Sequence, residues 1–237
     1  IHDNQVLDHE YGFQLYQCDS ALVSSNEMTK PEASMFGLYA RNFIYNNSSS
    51  STLIEDNVFS IEEGSRPNNN QGMIYSHQSM IRNNIYIFHS PNEYGYHNYF
   101  IYANESVVSG NTFTLITQGH YSSFFLRTSG SENNRSVVEN NIINIECYYP
   151  NDGYNGDWQG IISLHGYTDC INNTVSRSSE YDETWGSRGL ITSSGAGTII
   201  SGNTLFTSEN SPAVYFENGS SQIFTNNEIH SERGSSA

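Results

Sequence analysis

At 237 residues with 36% hydrophobic residues, the chain can bury one large core, and no stretch approaches the roughly 20 apolar residues of a membrane span. Twenty-five Asp and Glu against nine Lys and Arg give a formal net charge of −16, which disfavours nucleic acid and anionic membranes as partners. Charged residues are sparse at 14% while aromatics reach 13%, a balance that argues against disorder. Abundant Asn, Ser, Tyr and Gly favour turns and strands over helices. No signal peptide opens the sequence, and Ile1 begins directly in patterned sequence without an initiating Met. The expectation is one domain over 1–237, cut from a longer protein.

In chain order, the template apolar-x-x-Asn-x-apolar recurs nine times, at Asn4, Asn26, Asn57, Asn84, Asn111, Asn141, Asn173, Asn203 and Asn227. Between successive Asn residues lies a second apolar strand, often led by Gly. It reads GFQL at 12–15, GLYA at 37–40, GMIY at 72–75, YFIY at 99–102 and FFLR at 124–127. It continues as GIISL at 160–164, GLIT at 189–192 and AVYF at 213–216. Each unit therefore predicts two or three strands of period-2 alternation joined by Gly-, Asn- and Ser-rich turns. No helical periodicity competes.

A period of about 28 residues between successive ladder Asn, with strands and no helix, excludes helical solenoids. Leucine-rich repeats would need a Leu ladder, and propeller blades about 40 residues. What remains is an all-β, single-stranded, right-handed parallel β-helix of about eight rungs at ~4.8 Å each. An Asn turned inward at each corner would bond to backbone and to the Asn of the next rung, forming a ladder. Asn also tolerates the left-handed backbone that such corners need. Val108 and Phe113, Ile81 and Tyr86, and Ile200 and Leu205 then point into the core. Cys18, Cys147 and Cys170 form no zinc or disulfide pattern, and Cys170 occupies a position filled elsewhere by aliphatic residues.

The units SGNTF, RNNIYIF and SGNTLF resemble those of right-handed β-helix repeat proteins of the pectin-lyase-like class. The resemblance covers nearly the whole chain and implies the fold. The class includes polysaccharide lyases, glycoside hydrolases, adhesins, and the tailspikes and tail appendages of bacteriophages. No enzyme family's own motif is present, so no catalytic residues carry over from it.

The variable segments lie between each ladder strand and the following Gly-led strand, and stacking should gather them on one side. ECYYPNDGYNGDWQ at 146–159 and SRSSEYDETWGSR at 176–188 hold both tryptophans and most of the chemistry. Asp152, Asp157, Glu180, Asp182 and Glu183 are the candidate acid/base carboxylates of a glycosidase. Tyr149, Tyr154, Trp158, Tyr181 and Trp185, with Arg188, are the candidate sugar-binding residues, since aromatic rings stack on sugar faces. Solvated loops packed against the rod are the bland alternative. Arg127 and Arg188 are the candidate cations for a lyase, and Ca²⁺ held by carboxylates is the only cofactor worth considering. His89, His97 and His120 fall in adjacent inserts without a recognised metal pattern, and no metal site is assigned.

Val58, Ile85, Ile87 and Ile142 should face outward if Phe59, Tyr86 and Ile143 face inward, and an exposed apolar patch suits a parallel homotrimer or cover by a terminal segment. The leading functional expectation is a phage tailspike or appendage module on the virion tail that binds a bacterial surface polysaccharide and could cleave it. A non-catalytic extracellular adhesin or structural β-helix is the alternative, and a secreted polysaccharide lyase comes third. No ladder of Thr-x-Thr supports ice binding.

Overall fold

A computed structural model describes residues 1–7, 13–16, 20–30, 44–47, 51–61, 74–90, 94–95, 101–117, 120–121, 126–147, 160–179, 189–207, 212–217 and 221–231. One unit shows how the sequence becomes structure. Ile101–Asn104, Val107–Ser109 and Thr112–Thr117 are three short strands separated by two-residue corners. Each alternates buried and less buried residues, as a strand with one face on a core must. The next unit repeats the pattern with Leu126–Gly130, Ser136–Glu139 and Ile142–Cys147.

Stacking the units gives three long sheets. We call them leading, middle and trailing, after the order in which the chain visits them. They contain eight, eight and nine strands, and every strand pairs in parallel with its counterpart in the units before and after. The chain is thus an all-parallel β-solenoid. The apolar positions stack in register. Val23, Ile54, Ile81, Val108, Val138, Cys170 and Ile200 form the inward column of the middle sheet. Cys170 is buried there as the sequence suggested, and burial pushes its thiol up to about 12.

In the trailing sheet the inward column includes Phe59, Tyr86 and Phe113. Their rings stack with centroids 4.9 and 4.5 Å apart, because the spacing between rungs nearly equals the spacing of stacked rings. The Tyr86 hydroxyl is buried without a hydrogen-bond partner, and burial raises its pKa well above the ordinary phenol value. Tyr86→Phe is therefore expected to stabilise the protein by about 1 kcal/mol. Thermal denaturation checks this, and a fall in melting temperature would mean the hydroxyl contributes a favourable contact.

The Asn ladder fills the corner between the middle and trailing sheets. The backbone N–H and Nδ2 of each Asn donate to Oδ1 of the next, as for Asn84 to Asn111 (2.9 and 3.0 Å) and Asn111 to Asn141 (3.0 Å for both). The series runs from Asn4 to Asn227. Nδ2 also donates to two carbonyls, Ile81 and Ser109 in the case of Asn111. The expectation about backbone needs correction. The left-handed residue is not the ladder Asn but the one before it: Asp3, Ser25, Asp56, Asn83, Gly110, Asn140, Asn172, Gly202 and Asn226. That residue turns the chain outward, which leaves the Asn free to aim its amide inward.

A second inward polar column, which the sequence did not reveal, fills the corner between the leading and middle sheets. Thr52, Ser79, Ser106, Ser136, Thr168 and Thr198 are buried there. Ser106 shows the logic: its hydroxyl donates to the Asn104 carbonyl and accepts from the Ser79 backbone N–H. It satisfies corner groups that neither sheet can pair.

Candidate functional site

The outward faces of the three sheets differ in chemistry. The middle sheet presents Leu22, Leu53, Met80, Val107, Val137, Asp169, Ile199 and Ile223 in one register column. Asp169 accepts hydrogen bonds from Arg135, whose Nε lies 3.0 Å from Oδ2. The trailing sheet presents Val58, Ile85, Thr112, Ile142, Thr174 and Thr204. Ile85, Ile87 and Ile142 are 44%, 42% and 46% exposed while Phe59, Tyr86 and Ile143 are buried, as expected, but Val58 is only half-exposed.

The leading sheet is aromatic and polar. Alternation aims Tyr75, Tyr102, Arg127, Ser163, Thr192 and Tyr215 away from the core in one column, although Ser163 and Thr192 are buried. His77, Asn104, Ser129 and His165 lie in the next. The Tyr75 and Tyr102 rings stack at 5.1 Å and 2°, and the Arg127 guanidinium lies 5.4 Å from the Tyr102 centroid. A flat run of two rings and a planar cation results, spaced by the rung repeat.

On the rung next to that of Arg127, His165 is held from both sides. Ser163 Oγ lies 2.9 Å from its Nε2, and Ser194 Oγ lies 2.7 Å from its Nδ1. Burial, and then nearby Arg127, hold the imidazole below its ordinary pKa, with Glu217 acting in the opposite sense. The ring is therefore neutral at pH 7, with one nitrogen donating and the other accepting. A separate polar group sits at the corner, where Glu105 accepts from Gln78, Ser131 and Asn134. Those bonds, led by that from Gln78, lower its carboxyl pKa.

Every variable segment joins the trailing sheet to the leading sheet, so the leading strands emerge directly from them. Two successive segments run side by side: Tyr94–Gly95 pairs in parallel with His120–Tyr121. The adjacency expected of neighbouring inserts holds for this pair. Gly160 and Gly189 introduce two leading strands with φ of +99° and +89°. A Cβ on Gly189 would lie 2.4 Å from the Pro212 carbonyl oxygen, which explains the Gly at the head of that strand.

The candidate carboxylates Asp152, Asp157, Glu180, Asp182 and Glu183 lie outside the described residues, as do Tyr149, Tyr154, Trp158, Tyr181, Trp185 and Arg188. His97 does too. Among the described residues no three His, Cys, Asp or Glu side chains converge on a common point, and no helix is long and apolar enough to cross a membrane. Arg127, suggested by sequence, is on the leading face, while Tyr75, Tyr102, Ser163, His165 and Ser194 were missed. They come from rungs 25 to 36 residues apart by the register and converge only once it is known.

Comparison with known proteins finds no matching protein family, no matching curated protein and no matching solved structure.

Proposed function

We propose that the chain is a carbohydrate-recognising module, a right-handed β-helix of the pectin-lyase-like kind, and that its leading face binds a bacterial surface polysaccharide. The observation that carries this is the outward stack of Tyr75, Tyr102 and Arg127. Aromatic faces bury the C–H groups of a sugar while hydroxyls, amides and the guanidinium beside them bond to its oxygens. The parallel strands support a right-handed coil, since crossovers between parallel strands overwhelmingly take that hand. The acidic balance of the chain favours a neutral or weakly charged glycan over nucleic acid.

The biological setting proposed is a phage tailspike or tail appendage, displayed on the virion tail or otherwise outside the cell. The exposed Ile85, Ile87 and Ile142 support side-by-side association as a parallel homotrimer. Cleavage would fall to carboxylates of the inserts, Asp157 and Glu183 first among them, by the acid/base chemistry of glycosidases.

Affinity electrophoresis through gels carrying capsule, O-antigen or teichoic acid tests the binding. One of these glycans should retard the protein, and Tyr102→Ala should weaken retention about 10-fold, the loss of a stacking contact and a cation–π contact together. Equal retention of wild type and Tyr102→Ala would remove the leading face as the binding surface. Shortened chains in the same incubation, lost in Asp157→Asn and Glu183→Gln, would assign the cleavage; binding without shortening favours an adhesin.

A further inference from the structure

We propose that Ser194, His165 and Ser163 form an acyl-transfer centre that hydrolyses esters, the substrate class being short-chain O-acyl groups on sugars. The choice of sugar esters rests on the glycan reading above; the ester chemistry does not. Ser194 Oγ lies 2.7 Å from His165 Nδ1, the distance at which an imidazole takes a proton from a hydroxyl. Ser163 Oγ, 2.9 Å from Nε2, fixes the ring. Of the two tautomers this pairing allows, the one with the proton on Nε2, donated to Ser163, leaves the Nδ1 lone pair aimed at Ser194, and the proposed reaction starts from it. Ser163 is only 1% exposed and suits a positioning role, whereas Ser194 is half-buried and suits attack.

The backbone after Ser194 supplies what an acyl-transfer centre needs next. Ser194 follows the strand Ile191–Ser193 and opens a tight corner of Gly195, Ala196 and Gly197, the last at φ +72°. The Ser194 N–H donates to the Leu164 carbonyl, but among the described residues no acceptor takes the N–H groups of Gly195, Ala196 or Gly197. Three consecutive donors beside a nucleophile are the elements from which an oxyanion site is made. Arg127 and Glu217 are the charged groups acting on His165.

In the reaction, Ser194 Oγ bonds to the ester carbonyl carbon as its proton passes to His165 Nδ1. The bond from that carbon to the alcohol oxygen breaks, and the alcohol leaves with the proton. Water, deprotonated by the same nitrogen, then attacks the acyl-Ser194 ester, releasing the carboxylic acid and restoring the hydroxyl. Ester and water give alcohol and acid, with no metal or redox partner required.

The test uses p-nitrophenyl acetate and the full chain. A burst of p-nitrophenolate is expected, and acid-quenched peptide mapping should find an acetyl group on Ser194. Turnover should rise with pH as His165 loses its proton and then level off. Ser194→Ala should lose burst and adduct. Ser163→Ala should keep KM, lower kcat about 10-fold and displace the pH profile, since the ring is no longer fixed. Turnover by Ser194→Ala at the wild-type rate, or a wild-type chain with no acetyl on Ser194, would overturn the proposal. Because the adduct is sought on the wild-type chain, a variant that fails to fold leaves the test decisive. Polysaccharide retention without acetyl transfer would sink this centre and leave the glycan reading standing, and acetyl transfer without retention would do the reverse.

Discussion

Asn111→Ala is expected to lower the free energy of unfolding by about 3–5 kcal/mol. For a chain of this length that is a fall in melting temperature of roughly 10 °C. Asn111 is fully buried. Its Oδ1 accepts from the backbone N–H and Nδ2 of Asn84, and its Nδ2 donates to Asn141 Oδ1 and the Ile81 and Ser109 carbonyls. Alanine removes all of these and leaves groups on three neighbouring rungs unpaired away from water, which costs more than the bonds themselves are worth. Asn4 belongs to the same ladder but is exposed, so Asn4→Ala should cost under about 1 kcal/mol. Urea and thermal denaturation of the two variants give the comparison. Similar losses for both would mean the ladder's contribution does not depend on its burial.

Gly166→Ala should be severely damaging for a single methyl group, costing about 3 kcal/mol. Gly166 has φ +61°, and an added Cβ would lie 2.2 Å from the Gly130 carbonyl oxygen. Neither the backbone conformation nor the neighbouring backbone can give way cheaply. A Cβ on Gly195 would in turn meet the Gly166 backbone nitrogen at 2.1 Å, so three rungs nest through bare backbone at this corner. His165 immediately precedes Gly166, so the same substitution should disturb its bonds to Ser163 and Ser194. Gly110→Asn is the informative contrast. Gly110 is also left-handed, but the equivalent residues of other rungs include Asn83, Asn140, Asn172 and Asn226. The atom it would crowd is the movable Asn83 Oδ1, at 2.8 Å. It should cost under about 1 kcal/mol. If the two variants melt together, close nesting of backbone is not what fixes this corner.

The fold was readable because its corner demands one residue type. Only Asn supplies, from a short side chain, both an acceptor for the rung before and a donor for the rung after, so it recurs visibly through the sequence. The second corner has the same task but accomplishes it with Ser or Thr, which occur everywhere in this chain and so mark nothing. The left-handed position before each ladder Asn takes Asp, Ser, Asn or Gly, and that variety hid it. The leading face was illegible for another reason. Tyr75 and Tyr102 are unremarkable singly, the sequence marks Arg127 only as a candidate lyase cation, and the stacking of the three is a property of strand register. Reading the sequence for dense clusters drew attention to the inserts around Trp158 and Trp185 instead.

The ladder also governs which misfolded pairings the chain can tolerate. A slip that brings Ile85 to the place of Asn84 orphans amides above and below, and a slip by one residue in either direction turns the buried Ile81 and Tyr86 outward, so small slips are rejected strongly. A strand that skips a whole rung meets an Asn in the same place and pays no such penalty. The repeat that makes the coil stable therefore also makes its rungs interchangeable during folding. The stack of Phe59, Tyr86 and Phe113 is confined to three successive rungs and followed inward by Ile143. It gives those rungs an identity, and an order of assembly, that the amides alone cannot encode.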